Sequence, residues 1–175
     1  MRFVCNFNCS REEAEKILLE PKEYVSVDIE TVSLLNQLPL GIAVAISPDD
    51  GFYFFDVKDD LLSQVIMSSE VVLFHNASFD IPILEALGLK TRAWEDTMLL
   101  AYSCGILDKS LEALSASYLH KPYTSVTSQW RKKDQGNIAI DHIKMAGWSI
   151  QHACNTYALW ESLPKTELYQ TIDRP

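Results

Sequence analysis

The sequence predicts an α/β fold on a mixed sheet, and three observations carry that reading. Runs rich in β-branched and aromatic residues recur at Tyr24–Asp28, Gly41–Ser47 and Phe52–Val57. A continuous apolar run, Val71-Val72-Leu73-Phe74-His75, has the character of a strand buried on both faces. Beyond it the chain turns mainly helical as far as Leu163.

Taken in order, Ser10-Arg11-Glu12-Glu13 has the spacing of a capping box and opens a helix to about Leu19, which Pro21 ends. The three β-rich runs then form an antiparallel meander, with Pro48-Asp49-Asp50-Gly51 as the hairpin turn between the second and third. Asp59–Met67 reads as a helix leading to the buried strand at Val71–His75. Helices follow at roughly Phe79–Leu87, Thr97–Cys104, Leu111–Leu119, Ile140–Ala146 and Ile150–Leu163. Pro164–Pro175 has few core residues and reads as a connector, so the expected organisation is one domain over residues 1–163 and a tail over 164–175.

At 175 residues and 47% hydrophobic composition the chain is long enough to bury a core without disulfides or structural metal. No apolar stretch approaches the roughly 20 residues a membrane helix needs, and Met1-Arg2-Phe3 does not open a signal peptide. The expectation is a soluble, cytoplasmic protein with no membrane partner. Cys5, Cys9, Cys104 and Cys154 lack zinc-site spacing and read as free thiols. The net charge of −9 argues against coating duplex nucleic acid by charge alone, but a carboxylate site loaded with divalent cations presents the opposite local field. The one basic run, Arg131-Lys132-Lys133 beside Trp130, reads as a solvated loop ahead of a strand-binding patch.

Asp28 and Glu30 close the first strand of the meander at i and i+2, so both side chains point to one side of the sheet. Like charges that close resist joint ionisation unless a cation neutralises them, which suggests a hard-metal site; a solvated strand end is the alternative. Asp80 follows the buried strand at the start of a helix, where open α/β sheets collect ligands. Its alternative role is to stabilise the helix dipole.

These residues resemble a known family. Asp28-Ile29-Glu30-Thr31 and Asn76-x-x-Phe79-Asp80 are similar to the first two motifs of the DEDD superfamily of 3′–5′ exonucleases, and within it to the proofreading domain of family A DNA polymerases. Gly41–Ile46, Glu95–Tyr102, Leu111–Leu114, Tyr118-Leu119 and Leu168–Pro175 resemble that family in the same order, the last of them its lead-in to a polymerase domain. The resemblance covers residues 22 to 175 and implies a ribonuclease-H-like mixed sheet of five strands flanked by helices. It implies two divalent ions, Mg²⁺ or Mn²⁺, with Asp28 bridging both, Glu30 on the nucleophile side and Asp80 on the leaving-group side. It also sets Leu34 as a wedge against the terminal base, and Thr31 and Asn76 beside the terminal nucleotide. Without the family, Leu34 is a loop leucine and Asn76 a helix-start hydrogen bonder. Phe79 is a candidate to stack on a base, with core packing as its ordinary role.

The family's third motif is Tyr-x-x-x-Asp on the last long helix, and here the sequence departs from it. Placing Asn155 in the Asp slot and Gln151 in the Tyr slot sets Ala158, Leu159 and Trp160 on positions the family fills with small or apolar residues. Sliding one residue, with His152 and Thr156 in the slots, puts Glu161 where burial is expected. With Asn155 as fourth ligand the site loses one anion and hydrolysis is slowed. Two origins fit such an amide, a substitution that traps substrate or a natural loss of catalysis.

The resulting expectation is a metal-dependent proofreading exonuclease acting on the 3′ end of single-stranded DNA, with a DNA polymerase domain in the same or another chain as partner. An RNA-trimming exoribonuclease is the second reading. A silent module that grips a single strand by Phe79, Tyr123 or Trp130, or packs on a polymerase, is the third.

Overall fold

The computed structural model, which describes residues 3–5, 9–32, 37–123 and 141–172, has the α/β architecture the sequence predicts. In chain order the elements are β1 (Phe3–Cys5), α1 (Arg11–Leu19), β2 (Tyr24–Thr31), β3 (Pro39–Ala45), β4 (Gly51–Phe54), α2 (Asp60–Ser68), β5 (Val71–Phe74), α3 (Ala77–Ala86), β6 (Trp94–Asp96), α4 (Thr97–Ser103), α5 (Leu111–Tyr118), α6 (His142–Ser162) and α7 (Glu167–Thr171). The expected capping box of α1 is formed, with Ser10 Oγ accepting from the Glu13 amide and Glu13 accepting from the Ser10 amide.

The sheet has six strands rather than five, in the order β1-β4-β3-β2-β5-β6. β2, β3 and β4 form the expected antiparallel meander, and β5 and β6 continue the sheet in parallel with β2. The two strands absent from the sequence reading, β1 and β6, are three residues each. Three residues are too few to show an alternation, and pairing with β4 and β5 makes them strands. Because β2, β5 and β6 are parallel, Asp28–Thr31, Phe74–His75 and Asp96 all arrive at the same edge of the sheet. That edge, at the strands' carboxyl ends, is where such sheets bind ligands.

One face of the sheet packs Val25, Val27, Ile29, Ile42, Val44, Phe52, Phe54 and Phe74 against α1, α2 and α3. The other face receives α6. Here a single helix replaces the two expected around Gly147, with buried side chains from Met145 to Trp160. A helical glycine costs about 1 kcal/mol relative to alanine, and the burial on both sides of Gly147 outweighs it. α6 seats closely because the strands beneath it carry small residues. Ala43 and Ala45 are fully buried against it, and a Cβ on Gly51 would lie 2.7 Å from Ile150 Cγ2. Ser26 Oγ donates to the Ala153 carbonyl at 2.5 Å, locking the helix to β2.

The tail is not a bare connector over its described part. α7 docks on the body through Tyr169, which is buried; its hydroxyl donates to Glu95 Oε2 at 2.5 Å and accepts from the Asp96 amide at 3.2 Å. Nothing local in the sequence announces this contact, because β6 is only three residues long and Tyr169 reaches it from far along the chain. Cys9, Cys104 and Cys154 carry reduced thiols, and the Cys5 and Cys9 sulfurs lie 3.0 Å apart. Among the described residues no helix is long and apolar enough to cross a membrane.

Candidate active site

β2 delivers Asp28 and Glu30 to the α6 face of the sheet. Their partners across the ladder are Ala43 and Gly41, which leave room above the strand for the carboxylates. Tyr53 fills the space over Gly41, so that a Cβ on that glycine would lie 2.2 Å from the Tyr53 hydroxyl. The ladder shifts register between Glu30 and Thr31, ending regular pairing beside the site.

α6 supplies two further groups. Ser149 Oγ donates to Asp28 Oδ2 at 2.6 Å, and His152 Nδ1 stands 3.4 Å from Asp28 Oδ1. Ligand atoms of Asp28, Glu30 and His152 lie within 4.8 Å of one another. The His152 ring is flanked by Trp148, with centroids 4.0 Å apart, and by Tyr123 at 5.3 Å. His152 Nε2, Trp148 Nε1 and the Tyr123 hydroxyl are buried without a hydrogen-bond partner among the described residues.

Asp80, on the first turn of α3, is buried close to the end of β2. Its position depends on the turn before the helix, where Asn76 adopts a left-handed conformation with φ 81° and ψ 57°. Asp96 holds that turn. Its carboxylate accepts from the amides of Asn76 at 3.2 Å, Ala77 at 2.8 Å, Met98 at 2.7 Å and Leu99 at 3.4 Å, joining α3 and α4 at the sheet edge. His75 braces the same edge, with Nδ1 2.8 Å from Thr97 Oγ1 and Nε2 2.9 Å from the Lys109 carbonyl. A carbonyl only accepts, so Nε2 carries the proton. Burial pushes the His75 pKa down, in keeping with a neutral ring.

The electrostatics of this corner oppose ionisation of its acids. Burial raises the Glu30 pKa, and the charge of Asp28 and a hydrogen bond shared with it raise it further. Asp80 is raised well above the carboxylate range, first by burial and then by Asp28, Asp96 and Glu30. The Tyr53 hydroxyl is likewise pushed up by burial and by Glu30 and Asp28. Among the described residues, no basic side chain lies at ion-pair distance from them except His152. Clustered carboxyl groups, two of which resist ionisation, with an imidazole nitrogen facing them are the donor set of a divalent cation, and these residues fit one.

The sequence reading and the structure part company on α6. Ser149 meets Asp28 and Ala153 meets Ser26, so the helix runs away from the carboxyl end of β2. Asn155 therefore lies farther down. It is buried over the opposite end of the sheet, lining a groove with Pro48, Asp49, Lys121 and Gly147, and its Nδ2 finds no partner among the described residues. Gln151 is exposed along the same groove. The α6 side chains beside Asp28 are Ser149 and His152, with Trp148 flanking the imidazole; His152 and Trp148 stand three residues before Asn155 and Gln151 respectively.

Asp28 and Glu30 come together with His152, while Asp80 stays outside that tight cluster but within reach of the charge of both acids. Thr31 ends β2 beside them, and Asn76 supports α3 through its backbone and accepts from Ser78 Oγ at 2.8 Å. Phe79 is half-buried and packs on the main core. Leu34, Trp130 and the basic run at Arg131–Lys133 lie outside the described residues. Sequence reasoning gave no site role to Ser149, Trp148, Asp96 or His75, and weighed His152 only in the Tyr slot of the register it set aside. Trp148-x-x-x-His152 carried one usable signal, an aromatic residue four before a metal-binding type.

The sequence model of the 3′–5′ exonuclease family matches residues 8–158. The chain belongs to this 3′–5′ exonuclease family. No curated protein matches it. Solved structures of similar fold include the catalytic core of Rrp6 from Trypanosoma brucei, with TM-score 0.64, 17% identity, and 86% of this chain on 42% of that one. RNase D of the same organism, complexed with RNA U12, gives TM-score 0.62 at 15% identity, over 89% of this chain and 60% of that one. Brucella melitensis NrnC bound to pGG gives 0.66 at 14%, over 85% and 74%. The exonuclease chain thus spans about half the length of the first two, and the six-stranded sheet with its flanking helices matches the ribonuclease-H-like exonuclease fold.

Proposed function

We propose that this exonuclease domain hydrolyses the terminal phosphodiester at the 3′ end of single-stranded DNA with the help of divalent metal. The observation that carries the reading is the convergence of Asp28, Glu30 and His152 within 4.8 Å beside buried Asp80, at the carboxyl ends of parallel strands. Asp28 would be shared by two ion sites, since its charge acts on Asp80 of α3 as well as on Glu30 and it faces His152. Glu30 and His152 would hold an ion on one side of it, and Asp80 one on the other. A bound divalent ion supplies charge neutralisation at the phosphate and activation of the attacking water. Ser149 fixes the orientation of the Asp28 carboxylate.

Trp148 offers no hydroxyl where the family has its tyrosine, and His152 is one anion short of its aspartate. Both departures slow the reaction, so this domain works well below the rate of a complete site. DNA as substrate, and a polymerase domain in the same or another chain as partner, rest on the resemblance that runs from residue 22 to 175. RNA is the second reading, favoured by the solved relatives in complex with RNA U12 and pGG.

Equal-length, 5′-labelled single strands of DNA and RNA, incubated with the chain and Mg²⁺ or Mn²⁺, test the proposal. A ladder of 3′-shortened products that disappears with chelator and in Asp28→Asn supports it. Stronger trimming of RNA reverses the substrate choice. Metal-dependent cutting that survives Asp28→Asn overturns the site.

A further inference from the structure

We infer that His152 is a direct metal ligand and that its nitrogen turns this centre from Mg²⁺ towards a borderline transition ion of the Co²⁺ and Zn²⁺ class. The inference rests on the reading of Asp28 and Glu30 as ligands and names the metal they take.

Geometry is the first support. Two ligand atoms about 2.1 Å from one ion at a tetrahedral angle lie about 3.4 Å apart. His152 Nδ1 and Asp28 Oδ1 are separated by 3.4 Å, long for a hydrogen bond between a ring nitrogen and a carboxylate. Glu30 completes a set of one nitrogen and two oxygens within 4.8 Å. The second Asp28 oxygen is already engaged by Ser149, which leaves Oδ1 facing the imidazole.

Chemistry is the second. Imidazole suits Zn²⁺, Co²⁺ and similar ions, whereas Mg²⁺ prefers oxygen ligands alone. Mg²⁺ also gives up its water reluctantly and keeps several molecules when bound. Around His152 the walls are Trp148 and Tyr123, whose buried polar atoms are few and turned to no partner among the described residues. Such walls favour an ion that sheds its water easily. Both rings also fix the orientation of the imidazole by packing against it.

Most nitrogen and oxygen sites favour Zn²⁺ over Mg²⁺ to some degree, so the test lies in how His152 sets the ratio. Full-length chain stripped of metal is titrated calorimetrically with Mg²⁺, Co²⁺ and Zn²⁺, alongside His152→Ala and His152→Asp, with circular dichroism to verify folding. The expected result is that His152→Ala weakens Co²⁺ and Zn²⁺ about tenfold or more with little change for Mg²⁺, and that His152→Asp shifts the Co²⁺-to-Mg²⁺ ratio by a similar factor towards Mg²⁺. Electron-spin-echo spectra of the wild-type chain loaded with Mn²⁺ give a readout that needs no folded variant. Nitrogen modulation is expected, and its absence overturns the inference. Unchanged Co²⁺ affinity in folded His152→Ala overturns it as well. Binding of Co²⁺ through His152 by a chain that trims neither DNA nor RNA sinks the nuclease proposal and leaves this one standing.

Discussion

Ser149 donates its hydroxyl to Asp28 at 2.6 Å, so the residue that orients the central carboxylate comes from α6, 121 positions away in sequence. Replacing Ser149, fully buried, with alanine leaves one oxygen of Asp28 unpartnered. A loss of about 1 kcal/mol of stability is expected, together with a several-fold weaker metal affinity. Denaturant unfolding and calorimetric titration check both, and an unchanged affinity shows that the hydroxyl is only packing.

Asp96 is the clamp of the sheet edge. Truncating it to alanine strands the amides of Asn76, Ala77, Met98 and Leu99, of which Ala77 is buried. A loss of roughly 3 kcal/mol is expected from denaturant curves, since several donors lose a charged acceptor together. A change under about 0.5 kcal/mol, the range of an ordinary surface substitution, means the clamp carries no weight.

Without metal, the raised acids make stability fall with pH. The folded pKa values of Glu30 and Asp80 lie above their unfolded ones, so the folded chain keeps protons that the unfolded chain has released. The stability this contributes is full below the ordinary carboxylate values near 4.5 and is lost as pH rises through the folded values. Melting temperature in chelator is expected to decline from about pH 5 to about pH 8, and saturating Mn²⁺ to flatten the decline. A rise over that range in chelator contradicts the electrostatics of the site.

The register of α6 separates two substitutions. His152→Asp restores an anionic ligand at the cluster and is expected to raise Mg²⁺-supported trimming of a 3′ end about tenfold or more. Asn155→Asp places a charge at a site 2% exposed, farther along the helix from the acids. It is expected to cost roughly 1–3 kcal/mol and to leave trimming no faster. A gain from Asn155→Asp but not from His152→Asp reverses the assignment.

Much of this was readable from the chain because local chemistry and global fold agree there. Asp28-x-Glu30 at a strand end, Asp80 one turn into a helix after a buried strand, and the capping box at Ser10 each follow from short-range rules, and all three stand in the structure. The position of His152 was not readable, because α6 has apolar or small residues on nearly every face. Sliding such a pattern by three residues, close to one turn, preserves its look. Only the contacts of Ser149 with Asp28 and of Ala153 with Ser26 fix which turn faces the acids. Asp96 escaped for a different reason. A helix N-cap is expected of an aspartate before Thr97, but the amides it accepts from the turn at Asn76 are long-range.

Which α6 side chain meets the acids of β2 decides what this site can bind. Anomalous diffraction from crystals of the chain grown with Mn²⁺ measures this directly. The predicted result is an ion bound by Asp28, Glu30 and His152, with Asn155 remote from it. An ion held by Asn155, or acids at 28 and 30 that bind none while His152 turns away, contradicts it.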